Sequence, residues 1–306
     1  MNAMIEVARS SVQTWEADAM GHLNVQFYVS RAVSGLAGVG AAIGLGPKGL
    51  REQGLELIAI DHHIRFLAEQ RPGAPFYLVA GVIAVDKERI RVYEEMRNSA
   101  TDQVCATFAT DVELRDVASQ QRQVFPADGI AKAKDLVIDI PKYGSPRGLE
   151  ITAPAPPPTL ARAEELGLIP TYQGTLTSLD CDDEGRILTH RYIGLVSDAI
   201  PNLLASTRGE DRSKDPNMGG AALEYRMHYH QRPAPGDIIV VRSGLRSIGE
   251  KTYIWGHWMF DLESGEAVAT AEAVAISMNL MERKAVPVPP DQRILLEKLL
   301  VPEFTI

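Results

Sequence analysis

One order of punctuation occurs twice along this chain. Asp18 and Gly21 stand ahead of a helix-like run, and Asp182 and Gly185 stand ahead of another. Downstream, Tyr28 answers to Tyr192, Gly73 to Gly236, Gly81 to Gly244, Met96 to Met259 and Thr107 to Thr270, with a single-residue register shift in the loop after the helix. Each half reads strand, long helix, four strands. A repeat of this length is a duplicated domain rather than a solenoid. One helix followed by short strands between turn signals argues an α+β unit built on an antiparallel sheet. The expected layout is a first unit at 1–116, a Pro-rich linker or strap at 117–170, a second unit at 171–282, and a tail at 283–306 with a short helix over "DQRILLEKLL".

The helix of the first half, "NVQFYVSRAVSGLAGVGAAIG", spans about Asn24 to Ile43 and is crowded with Gly, Ala and Ser. Glycine inside a helix costs roughly 1 kcal/mol against alanine, so a compensating reason is required. Close approach of other backbone supplies one, and the reading is a sheet curled around a helix buried on most of its surface. The stretch Val12–Trp15 before it reads as β-like. In the second half, "RILTHRYIGLVSDAIPNLLAS" is helix-like, with a kink or break expected at Pro201.

The chain has 306 residues, enough for two domains of about 150, and 45% hydrophobic with 23% charged residues is ordinary for a globular core. A net charge of -9 repels a phosphate backbone, which argues against nucleic acid as a partner. Two cysteines, Cys105 and Cys181, stand in no metal-like spacing and make no disulfide framework. No basic-then-apolar leader opens "MNAMIEVARSS". The apolar run Leu36–Leu45 is too short and too glycine-rich to span a bilayer. These features together lead us to expect a cytoplasmic protein with no membrane partner.

Asn24 falls where helical periodicity begins and is a good N-cap. A helix start presents free N–H groups and the positive end of the dipole, which suit an oxygen of developing negative charge. Gly21 permits a sharp turn that folds Asp18 back beside that start. A carboxylate next to an oxyanion site provides the parts for hydrolysing an activated acyl group, with Asp18 as general base on water or as nucleophile. The same Asp-x-x-Gly is equally readable as a turn with a cap.

"DAMGHLNVQFYVSRA" resembles the Asp-x-x-Gly-His-x-Asn motif of hot-dog fold thioesterases of the 4-hydroxybenzoyl-CoA thioesterase-like group, and "FLAEQRPGAP" and "HQRPAPGD" resemble the strand and turn that follow its helix. The resemblance covers about 5–115 and 172–280. It implies a double hot-dog whose two units pair as separate subunits do in single-domain relatives, leaving further homo-oligomerisation open. It also implies an acyl-CoA or carrier-protein thioester as substrate, Asp18 as the catalytic carboxylate, and the backbone N–H of Val25 on the thioester carbonyl. No cofactor or metal is called for. His22 either orients the site or is simply packed. The second copy departs from the motif: Arg186 stands for His22 and Leu188 for Asn24, so the cap is lost unless Thr189 supplies it. Asp182 is then a second catalytic carboxylate or, preferably, a relic. A hot-dog hydratase or dehydratase and a non-catalytic acyl-CoA-binding protein are the rival readings.

Gly21, Tyr28, His228 and His230 are further candidates for contact with substrate, the two histidines lining the first copy's pocket from strand 223–230. His228 and His230 share a strand face and have chelating spacing, but no third ligand lies nearby in sequence, so pocket lining or a polar strand face is the reading. His62 and His63 point to opposite faces. Ser206 and Ser243 lack a nucleophile elbow, and "GVGAAIG" lies within the helix rather than after a strand. Tyr253, Trp255 and Trp258 read as core or acyl-pocket wall. Arg89, Arg91 and Arg97 read as a solvated strand face, with CoA phosphates as the lesser alternative.

Overall fold

A computed structural model describes residues 4–207 and 218–304, and the chain divides into two compact units, Met1–Pro146 and Arg147–Ile306. The first runs β1 (Ile5–Ser11), α1 (Val25–Ala42), α2 (Pro47–Glu52), β2 (Leu55–Phe66), β3 (Pro75–Val85), β4 (Ile90–Asn98), β5 (Val104–Asp116), β6 (Arg122–Gln123) and α3 (Ala127–Asp135). Its strands pair antiparallel in the order β1-β3-β4-β5-β2, with β6 on β5. The second runs α4 (Leu160–Glu165), β7 (Ile169–Thr175), α5 (Thr189–Thr207), β8 (Met218–Tyr229), β9 (Ile238–Ile248), β10 (Thr252–Asp261), β11 (Ala267–Asn279), β12 (Lys284–Ala285) and α6 (Pro290–Glu297). Here the order is β7-β9-β10-β11-β8, with β12 on β11. Each unit is therefore the same α+β design, a long helix against an antiparallel sheet.

Helix α1 lies against β1, β2, β3 and β4. Its buried residues, Tyr28, Val29, Ala32, Gly35, Leu36, Val39 and Gly40, recur at three- and four-residue spacing and form one stripe. The expectation of burial on most of the surface is corrected here, because Ser34, Ala37, Ala41 and Ala42 are exposed. Close approach still explains a glycine: a Cβ at Gly38 would lie 2.8 Å from both the Cβ and the backbone oxygen of Val7 on β1. The exposed alanines are good helix formers and serve no packing on that face.

Three local expectations change. Val12–Trp15 is not strand: Thr14–Glu16 forms a 3-10 turn, with the Glu16 carboxylate accepting from the Gln13 N–H at 2.8 Å. Helix α5 continues through Pro201 to Thr207 without a break. Thr189 is the first residue of α5 rather than its cap. Between the repeats, 151–158 has neither helix nor strand, in keeping with its prolines, while 127–135 upstream is helical.

Candidate active site

The loop before α1 is closed by its own backbone. Asp18 N–H donates to the His22 carbonyl at 2.8 Å, Gly21 N–H to the Asp18 carbonyl at 3.0 Å, and Gly21 sits at φ +75°, where a side chain is strained. Asp18 Oδ1 accepts from the N–H groups of Met20 at 2.8 Å and His22 at 3.0 Å. That fixes the carboxylate through one oxygen, while its second oxygen, on an exposed residue, has no hydrogen-bond partner among the described residues. Two further bonds hold the loop in place: Leu23 N–H to the Gln70 carbonyl at 2.8 Å, and Asn24 N–H to the Glu16 carbonyl at 2.9 Å. Buried Glu16 also pairs with Arg31 of α1.

Asn24 caps the helix, its Oδ1 accepting from the Gln26 N–H at 3.0 Å, while Phe27 N–H takes the Asn24 carbonyl at 3.0 Å. The donors of residues 26 and 27 are thereby occupied. The Val25 N–H, at the positive end of the dipole, donates to no backbone or side-chain acceptor among the described residues. Asp18, Gly21, His22, Asn24 and Val25 are thus gathered in one loop. Tyr28 stands a turn further on, where its hydroxyl donates to the Ala68 carbonyl at 3.3 Å and accepts from Gln70 N–H at 3.2 Å. It braces the turn after β2. Burial, then the neighbouring Cys105 and Asp18, push its phenol above the ordinary range.

The loop before α5 repeats this geometry. Asp182 Oδ1 accepts from Glu184 N–H at 3.2 Å and Arg186 N–H at 2.8 Å, and Gly185 has φ +70°. Ile187 N–H donates to the Pro233 carbonyl at 2.9 Å, and the Tyr192 hydroxyl to the Gln231 carbonyl at 2.5 Å, matching Leu23–Gln70 and Tyr28–Ala68. The differences are chemical. Leu188 offers no side-chain cap, and the second oxygen of Asp182 is taken by Arg232 at 2.9 Å.

Sequence reasoning missed Glu69 and Arg71. The His22 Nε2 lies 3.2 Å from the Glu69 carboxylate and 3.2 Å from the Arg71 guanidinium. The turn after β2 brings both to the loop, and no local pattern near Asp18 signals them. His228 stands on β8 and His230 just past its end, with their rings edge to face, centroids 4.8 Å apart. Burial, then His228, lowers His230 to about 4. Among the described residues no cluster of three His, Cys, Asp or Glu could hold a metal. Arg89, Arg91 and Arg97 are committed to acids, with Arg97 2.6 Å from buried Glu95, Arg89 3.4 Å from Glu113 and Arg91 3.7 Å from Asp111. These pairings suit a polar strand face. Trp258 is core, stacked on Phe304 at 4.5 Å. Beside the far half of α1, Leu36, Val39, Ile43, Leu57, Val92 and Phe125 line a small apolar recess.

The family model of the thioesterase-like superfamily matches residues 12–137 and again 177–298. Solved structures share the fold across nearly the whole chain. A putative oleoyl thioesterase from Lactobacillus plantarum is 12% identical with TM-score 0.67, over 90% of this chain and 97% of that one. An acyl-ACP thioesterase from Bacteroides thetaiotaomicron is 13% identical with TM-score 0.64, over 89% and 96%. The 12:0-ACP thioesterase from Umbellularia californica is 10% identical with TM-score 0.64, over 89% and 93%. No curated protein matches the chain.

Proposed function

The chain belongs to the thioesterase-like superfamily of thioester hydrolases, and from that premise we propose that it cleaves an acyl thioester at the Asp18 loop of its first unit. The observation carrying this reading is the pairing, within one loop, of a carboxylate pinned through one oxygen and an uncommitted helix-start N–H at Val25. In the proposed step the Val25 N–H donates to the thioester carbonyl oxygen as it becomes an oxyanion. Asp18 takes a proton from water as that water attacks the carbonyl carbon. The tetrahedral intermediate collapses, the C–S bond breaks, the sulfur leaves with the bonding pair and is protonated, and the acyl group departs as a carboxylic acid. Direct attack by Asp18, giving an anhydride that water then opens, uses the same two groups.

The substrate we propose is an acyl group on a CoA or carrier-protein thiol. Two of the similar structures are named as acyl-ACP thioesterases, which favours the carrier-protein form. No described helix is long and apolar enough to cross a membrane, and the free thiols of Cys105 and Cys181 fit a reducing cytoplasm. Thiol release measured across matched acyl-CoA and acyl-carrier thioesters tests the proposal. Turnover of at least one series is expected. Hydration of an enoyl thioester without thiol release, or saturable binding without turnover, would contradict it.

A further inference from the structure

The repeat aligns two loops of one geometry that differ in what meets the aspartate. Glu69 lies three residues past the end of β2, and Arg232 three past the end of β8. The paired backbone bonds, Leu23–Gln70 and Ile187–Pro233, put these two residues in equivalent places. Arg232 closes the second oxygen of Asp182 at 2.9 Å. Glu69 carries the opposite charge and turns instead to His22 at 3.2 Å. His22 grips Asp18 through both backbone groups, its N–H on Oδ1 and its carbonyl on the Asp18 N–H. Its side chain is only 12% exposed.

We propose that Glu69 is the positioning residue of the active loop: it anchors the His22 ring, and with it the Asp18 carboxylate, and its negative charge leaves the second Asp18 oxygen open. The equivalent Arg232 closes the second loop. Its catalytic meaning rests on reading Asp18 as the working carboxylate. A carboxylate beside Asp18 repels it, so its charge is spent on the imidazole rather than on neutralising the acid. An arginine at that place does the reverse, as the second unit displays. Arg71, also 3.2 Å from the His22 Nε2, has Ala234 as its counterpart, so this contact too belongs to the first unit.

The test uses the full chain in wild-type, E69R, E69D and R232A forms, each checked by thermal melting. Carbodiimide with glycine ethyl ester, quantified on Asp18 and Asp182 by peptide mass spectrometry, reads which carboxylate is open without reference to turnover. Wild type is expected to label at Asp18 and be protected at Asp182; E69R protects Asp18, and R232A opens Asp182. In turnover, E69R lowers kcat roughly 10²-fold with KM little changed, the scale set by a displaced reacting group, and E69D restores most of it. Equal labelling of both aspartates in wild type, or E69R labelling and turning over as wild type does, overturns the proposal. Should E69R fail to fold, the R232A labelling decides by itself. A wild type that shows the labelling pattern but hydrolyses no thioester removes the functional reading and leaves the loop asymmetry. Hydrolysis that depends on Asp18 but ignores E69R removes only the role of Glu69.

Discussion

Asn24 occupies Gln26 and, by doing so, leaves Val25 as the donor at the tip of α1. Replacing it with leucine, the residue the second copy has at this place, removes the cap. A loss of about 1 kcal/mol in stability is expected, and a chemical-denaturation curve checks it. The loop was legible in sequence because a turn glycine, a cap and the carboxylate between them act over a few residues. Glu69 and Arg71 were not, because a turn nearly fifty residues away delivers them. A second pair of residues was also invisible. Glu94 on β4 and His257 on β10 sit at equivalent positions and are wholly buried, the Glu94 carboxyl filling the space a side chain at Gly35 would take. Burial raises Glu94 well above the ordinary carboxylate range and lowers His257 to about 4. A raised acid favours the folded state below its unfolded value of 4.5 and gives that up as pH climbs toward the folded value. A lowered histidine contributes fully above its unfolded value of 6.5 and loses its contribution as pH falls toward about 4. Urea midpoints followed against pH should therefore lose, in E94Q, part of the decline that sets in above pH 4.5 and, in H257N, part of their acid decline.

Helix α1 shows how far composition carries. Its bounds were readable from Asn24 and from apolar periodicity, and its glycines announced close approach. The number of buried faces was not readable, because alanine and serine suit a solvent face as well as a tight contact. Gly38→Ala separates the two effects. Alanine gains about 1 kcal/mol of helix propensity, but its Cβ meets the Val7 backbone, and overpacking of this kind typically costs about 1–3 kcal/mol. Net destabilisation is expected in a denaturant midpoint, whereas alanine at exposed Ser34 should be neutral or stabilising. The turn at Thr14–Glu16 was misread as strand because Val12, Thr14 and Trp15 carry β propensity, while the deciding contact, Glu16 to Arg31, is tertiary.

At the scale of the whole molecule the duplication was the most legible feature, since it extends to matching hydrogen bonds at both loops and both tyrosines. What it concealed is that equal geometry does not mean equal chemistry. The net charge of -9 bears on substrate delivery: long-range repulsion should slow capture of polyanionic thioesters, so kcat/KM for acyl-CoA should rise with added salt while that for an uncharged short thioester stays level. A fall with salt would instead point to a local basic docking site. The most direct measurement of the central claim compares thiol release by D18N and D182N proteins on one acyl thioester that the wild type cleaves. The account predicts that D18N loses roughly 10²- to 10⁴-fold in kcat, the usual worth of a positioned general base, while D182N turns over as wild type does. Full activity in D18N, or its loss in D182N alone, would contradict it.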